Sequence, residues 1–148
     1  GTMSESGFVD DYLAYLLARA SHLISSEFHT EVEASGLSLM EWRVMASLSG
    51  KEALSIQALA DIVLAKQPTV TKLVGRMQES GWVLRRDAAH DRRQSLVSLT
   101  AAGRQKIKKL LRQAKLHEQG VLAQLGPQAA GQLKTVLQRL IEQHQGAV

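Results

Sequence analysis

The chain keeps a single hydrophobic period, the three-four spacing of helices, along almost its whole length and breaks it in one place. Trp82 to Arg86 and Ser95 to Leu99 are short runs rich in β-branched, aromatic and leucine residues, as strands tend to be. Between them lies Asp87-Ala-Ala-His-Asp-Arg-Arg-Gln94, a polar segment of hairpin character. The order is therefore four helices, a β-hairpin and two more helices. The fold class predicted is mainly α with a small β-hairpin.

The helices around the hairpin can be bounded by their stop and start signals. Phe8 to about Glu33 predicts one long helix, with Val9, Tyr12, Leu13, Leu16, Ala20, Leu23, Ile24 and Phe28 at helical spacing. Gly36 stops it as a C-terminal cap does. Ser38 followed by Glu41 is a capping-box pair that opens a second helix, Leu39 to Leu48, ended by Ser49-Gly50. Ser55 opens a third, Ile56 to Val63. Pro68 stands where a helix can begin without its missing N–H, and that fourth helix runs to about Ser80 before Gly81. After the hairpin, Thr100 caps a long fifth helix carrying Ile107, Leu110, Leu111, Ala114, Leu122 and Leu125. Gly126-Pro127 breaks it, and a last helix continues to about His144.

A short helix, a tight connection, a second helix and a two-stranded wing make the layout of a winged helix-turn-helix. No repeat, low-complexity tract or linker divides the chain, so residues 1–148 are expected to form a single domain. The outer helices carry more apolar surface than so small a lobe can bury, which implies a helical partner, most simply a second copy of the chain.

The charge distribution says what such a lobe would bind. Residues 1–65 hold three basic and nine acidic side chains, whereas residues 66–115 hold thirteen basic and three acidic. The net charge of +4 hides this contrast. A positive field confined to the segment with the helix-turn-helix and wing suits a polyanion, although long helices also display Lys and Arg merely as a solvated face. There are no cysteines, hence no disulfide, thiolate metal ligand or thiol redox sensor. No apolar run approaches the roughly 18 residues of a membrane span, and the polar start GTMSESG lacks the apolar core of a secretory leader. Gly1 and Thr2 ahead of Met3 read as a cloning remnant. The expected location is cytoplasmic, with no membrane partner.

From about Gly36 to Gly103 the residues resemble the MarR (multiple antibiotic resistance regulator) family. The matching strings are GLSLMEWRVMASL, IQALADIV, TVTKLVGRMQESGWVLR and DRRQSLVSLTAAG. The last fits the family's wing signature at Asp91, Arg93, Val97, Leu99, Thr100 and Gly103, in register with the recognition helix. The resemblance implies a DNA-binding lobe over residues 37–103 and dimerisation helices at 8–34 and 104–148. It further implies a bacterial, homodimeric transcriptional regulator, commonly a repressor, that binds double-stranded DNA at a pseudo-palindrome. Family members often respond to small aromatic, phenolic or anionic ligands. No enzymatic activity and no cofactor are expected.

In a helix-turn-helix the N-terminal end of the second helix meets the base edges. That end presents Gln67, Pro68, Thr69, Thr71 and Lys72, with Arg76 a turn further on. Gln pairs bidentately with adenine, and Thr offers a hydroxyl and a methyl suited to thymine. Lys66, Lys72 and Arg76 are assigned to phosphates, which set register without carrying sequence information. Arg93 is the expected wing-tip residue in the minor groove, where a guanidinium gains from the negative potential. By the resemblance, Asp91 helps fix the wing by pairing with an arginine; Asp also suits a turn. Arg92, Arg85 and Arg86 are expected to supply backbone charge. For a ligand, the lining is expected from the first, second and fifth helices, with Tyr15, Arg19, His22, Trp42 and Arg43 as candidates; Trp42 serves equally well as a core residue.

The five histidines do not form a metal or catalytic framework. His22 and His29 lie seven apart, roughly 10 Å along a helix axis, too far to share an ion unaided. His90 and Asp91 are adjacent, yet no serine or cysteine motif frames them. Four readings therefore stand at this stage. A sequence-specific regulator leads, followed by an architectural DNA binder dominated by salt, a winged-helix protein-interaction module and, last, an enzyme. Unpaired wing arginines argue against a protein surface as target.

Overall fold

The computed structural model describes residues 7–88 and 91–146, and of residues 88 and 91–94 the backbone alone. A 3-10 turn, Phe8–Asp11, precedes α1 (Leu13–Ser26), α2 (His29–Ala34) and α3 (Leu39–Leu48). Then come β1 (Leu54–Ser55), α4 (Ile56–Val63), α5 (Gln67–Glu79), β2 (Val83–Ala88), β3 (Asp91–Leu99), α6 (Ala101–Ala123) and α7 (Pro127–His144). The described chain forms two compact units, residues 1–113 and 114–148, with the division inside α6.

The expected first helix is interrupted twice. Gly7 N–H donates to the Asp10 carboxylate at 2.7 Å, and Tyr12 is extended at φ −81° and ψ 120°, so the first turn stands apart from α1. At the other end the Ser25 and Ser26 hydroxyls both donate to the His22 carbonyl, and Phe28 N–H bonds to the Ser25 carbonyl instead of continuing the α pattern. Hydroxyls that compete for helix carbonyls bend or end helices. Hydrophobic spacing could not register this, because Phe28 keeps its apolar phase and is buried.

The other boundaries follow their signals. Ser38 accepts from Glu41 N–H at 3.1 Å while the Glu41 carboxylate accepts from Ser38 N–H at 2.8 Å, which completes the capping box of α3. Ser55 accepts from Ala58 N–H at 3.0 Å and so caps α4. Thr100 accepts from Gly103 N–H at 2.9 Å at the start of α6. Pro68 sits in the first turn of α5, which begins one residue earlier than expected.

The sheet has three antiparallel strands in the order β1-β3-β2, one more than the hairpin the sequence implies. β1 is two residues, Leu54 and Ser55, paired with Val97 and Leu96. So short a strand has no period of its own, and Ser55 reads only as a cap. The two longer strands also extend into the segment expected to be loop. Asp87 faces Ser95, but the register then shifts and Ala88 faces Asp91. The polar composition of that stretch coincides with irregular pairing, in the manner of a bulge.

The core of the first unit gathers Val44, Met45 and Leu48 of α3 with Leu59 and Val63 of α4. Val70, Val74 and Met77 of α5, Val83 and Val97 of the sheet, and Ile107 and Leu110 of α6 complete it. Truncating one such side chain to alanine costs about 2–5 kcal/mol. Along α1, by contrast, Leu13, Tyr15, Leu16, Leu17, Leu23 and Ile24 are exposed, as is Tyr12 just before it. In the second unit Ala130 is buried, Lys134 pairs with Glu118 between α7 and α6, and Leu116, Leu133, Val136 and Ile141 are exposed. No helix among the described residues is long and apolar enough to cross a membrane.

Candidate nucleic-acid interface

α4 and α5 are joined by Leu64, Ala65 and Lys66. The turn is made by Leu64 in the left-handed region, φ 59° and ψ 44°, with the N–H groups of Leu64 and Ala65 both returning to the Ala60 carbonyl. Such a cap ordinarily takes glycine, because a Cβ is crowded there. α5 then buries Val70, Leu73, Val74 and Met77, which fixes what its opposite face presents. Thr69, Lys72 and Arg76 follow one another at three- and four-residue spacing and form one exposed stripe. Lys66, Gln67 and Pro68 are exposed at its head, and Thr71 is half-buried at its edge.

The N-terminus of α5 differs from those of its neighbours. α3 and α4 each have a serine hydroxyl on a first-turn N–H, whereas Lys66 makes no side-chain cap and the first turn of α5 holds no acidic residue. No side chain therefore caps the first turn of α5, and the positive end of its helix dipole lies beside the exposed Lys66.

The wing is braced by a network that sequence reasoning did not find. The Arg85 guanidinium donates to the Ser95 hydroxyl at 2.9 Å, and that hydroxyl donates to the Asp87 carboxylate at 2.9 Å. Ser95 is 2 % exposed and is the one buried polar residue among those described. Arg85 is thus engaged inside the hairpin, unlike the freely presented charge expected of it, while Arg86 is exposed. The spacing of Arg85 and Asp87 puts both on one face of β2, but their meeting with Ser95 needs the register. The side chains of Asp91, Arg92 and Arg93 lie outside the described residues.

The root of the wing is tied to α6 by a dense joint. Thr100 donates its hydroxyl to the Gly81 carbonyl at 2.6 Å and its N–H to the Trp82 carbonyl at 3.1 Å. Gly103 packs so closely beneath that a Cβ there would lie 2.0 Å from the Trp82 oxygen, which no side chain can occupy. Lys106 lies over the Trp82 ring, 5.4 Å from its centroid, and donates to the Ser35 carbonyl at 2.8 Å.

The five ligand candidates lie on two helices of the first unit. Tyr15, Arg19 and His22 are exposed on α1, and Trp42 and Arg43 are half-buried on α3, with Trp42 packed at 5.8 Å on Phe28. A groove of about 410 Å³ in the first unit lies between α2 and α6 and is lined by Thr30, Glu31, Ser35, Lys106, Lys109 and Gln113 among others. Among the described residues no group of three or more His, Asp or Glu is placed to hold a metal.

A two-helix motif with an exposed polar recognition helix, followed by a braced wing, defines a winged helix-turn-helix protein of the DNA-binding class. Residues 35–94 match the MarR family model. A solved MarR family transcriptional regulator of Silicibacter pomeroyi DSS-3 is 36 % identical, and the match covers 93 % of this chain and 98 % of that one with a TM-score of 0.81. The transcriptional repressor IacR of Pseudomonas putida is 30 % identical over 68 % of this chain and 60 % of its own length. The transcriptional regulator YwoH of Bacillus subtilis (strain 168) is 27 % identical over 70 % of this chain and 74 % of its own. The chain belongs to the MarR family of transcriptional regulators, as its sequence signature implied, and the family is one of regulators and not of enzymes.

Proposed function

We propose that the chain is a sequence-specific regulator, acting as a repressor, which binds a pseudo-palindromic operator as a homodimer. The observation that carries this reading is the uncapped, cation-flanked N-terminus of α5 at the head of an exposed polar stripe. A phosphate oxygen placed there accepts the free N–H bonds that serine accepts in α3 and α4. Gln67 and Thr69 then meet base edges in the major groove, with Thr71 at the margin, while Lys66, Lys72, Arg76 and Arg86 hold the backbone. Pro68 shapes the first turn. Arg93 enters the minor groove, and Asp91 and Arg92 belong to the same wing contact. The exposed apolar face of α1 supports a second copy of the chain as partner, because a surface of this kind marks an interaction site. A small aromatic or anionic effector, met by residues such as Tyr15, Arg19, His22, Trp42 and Arg43, would release the DNA by favouring the incompetent spacing of the two recognition helices.

Selection from a randomised duplex pool, followed by fluorescence anisotropy on the enriched sequence at two salt concentrations, tests the reading. An enriched inverted repeat whose affinity drops with Gln67→Ala and Arg93→Ala is the expected result. Binding without enrichment would assign the chain to architectural DNA binding. No binding at either salt would remove both DNA readings.

A further inference from the structure

The groove between α2 and α6 belongs to neither the helix-turn-helix nor the wing, and its lining is chemically selective. Thr30, Glu31 and Ser35 on one wall face Lys106, Lys109 and Gln113 on the other, around about 410 Å³. This is the size of a small-ligand site. Glu31 Oε2 is buried without a hydrogen-bond partner among the described residues. An unmet buried acceptor is costly, and more so when charged. Glu31 also lines the groove, and an ionised carboxylate has a second oxygen able to accept there. Opposite it, Lys106 uses one N–H on the Ser35 carbonyl and keeps donor capacity to spare, and Lys109 is exposed.

We infer that this groove binds a small amino-acid-like effector with an ammonium group and a net negative charge. The ammonium donates to Glu31, and carboxylates engage Lys106 and Lys109. One acid and two lysines leave the groove one positive charge, which such a ligand neutralises. A simple dicarboxylate would leave Glu31 unmet and repel it. A simple amine would meet two like charges. The groove also connects to the DNA-binding lobe through Lys106, which joins the end of α2 at Ser35 to Trp82 at the root of the wing. A ligand carboxylate that draws Lys106 away loosens this joint, so occupancy is coupled to operator affinity. The inference rests on the proposed ligand-responsive regulator for its consequence, though not for the binding itself.

The test titrates the full chain, without DNA, with L-glutamate, glutarate and propylamine at constant ionic strength. Calorimetry is read beside the fluorescence of Trp82 in a Trp42→Phe background, where it is the last tryptophan. Saturable glutamate binding is expected, about tenfold or more tighter than either half-analogue and weakened about tenfold in Glu31→Gln and in Lys109→Met, a difference of about 1.4 kcal/mol each. Both variants should keep the wild-type circular dichroism spectrum. On the selected operator, glutamate should lower wild-type affinity about fivefold or more, the usual floor for coupled sites, and leave Lys106→Met unaffected. Absence of saturation by about 10 mM, glutarate binding as tightly as glutamate, or variants that bind like wild type would overturn the site. Unchanged operator affinity at saturation would overturn the coupling. A chain that selects no DNA yet binds glutamate in this pattern would support the site and overturn the regulator reading instead.

Discussion

Leu64 shows how far one residue can depart from local preference when the turn demands it. Its left-handed conformation costs an L-residue about 1–2 kcal/mol, and its side chain is 91 % exposed, so burial returns nothing. Leu64→Gly removes the crowding at an entropic cost of about 0.5–1 kcal/mol, and a net gain of roughly 0.5–1 kcal/mol is expected. In thermal unfolding this raises Tm by about 2 °C. Gly103 is the opposite case, a position where no side chain fits. With a Cβ 2.0 Å from a backbone oxygen, Gly103→Ala must displace Trp82 or the start of α6. A loss of at least about 2 kcal/mol is expected, seen as a fall in Tm of roughly 4–8 °C; a smaller fall would show that the joint yields.

At the scale of elements, the wing depends on a hydroxyl that carries no charge of its own. Ser95 joins Arg85 to Asp87 across the two strands, next to the register shift that starts at Asp87. Ser95→Ala should cost only about 1 kcal/mol, because Asp87 is exposed and Arg85 half-buried, so water can reach both. Its effect on operator affinity, measured by anisotropy, should exceed its effect on stability, since the wing loses orientation before it loses its fold. Equal affinity in the variant would show that the wing is positioned by its backbone alone. The recognition helix makes a complementary prediction. Each phosphate contact removed lowers the slope of log K against log salt by about 0.9, so Lys72→Ala in a symmetric dimer should reduce it by about 1.8 with little change in sequence preference. An unchanged slope would remove Lys72 from the phosphate contacts.

The whole molecule poses the question of what covers α1. Leu13, Leu16 and Leu17 are exposed in the first unit, and α7 carries exposed apolar residues in the second. Burying apolar side chains of this size yields about 1.5–3 kcal/mol each, which makes association the economical state. Sedimentation velocity should find a dimer at micromolar concentration, and Leu16→Lys should shift it toward monomer while the core of the first unit stays folded. In the proposed dimer two recognition helices reach one duplex, so the same substitution should weaken operator binding more than any single phosphate contact does. A monomeric wild type with full operator affinity would sink the dimer.

The local instructions were written in the chain itself. Ser38 with Glu41, Ser55, Thr100 and Gly126 mark helix ends through bonds made within a few residues, and Pro68 through the N–H it lacks, so no distant partner was needed to read them. The apolar phase of α4 and α5 likewise placed the recognition helix and its exposed stripe, apart from Thr71, which sits half-buried at the margin. What depended on contacts far apart in sequence was decided only by the tertiary structure. β1 exists because β3 offers it an edge, and Ser95 meets Arg85 and Asp87 because of a register that no period encodes. The break after Ser26 reflects hydroxyls turned onto the His22 carbonyl, an alternative that hydrophobic spacing does not see. The α2–α6 groove joins residues more than seventy positions apart, and neither helix alone holds an acid facing two lysines.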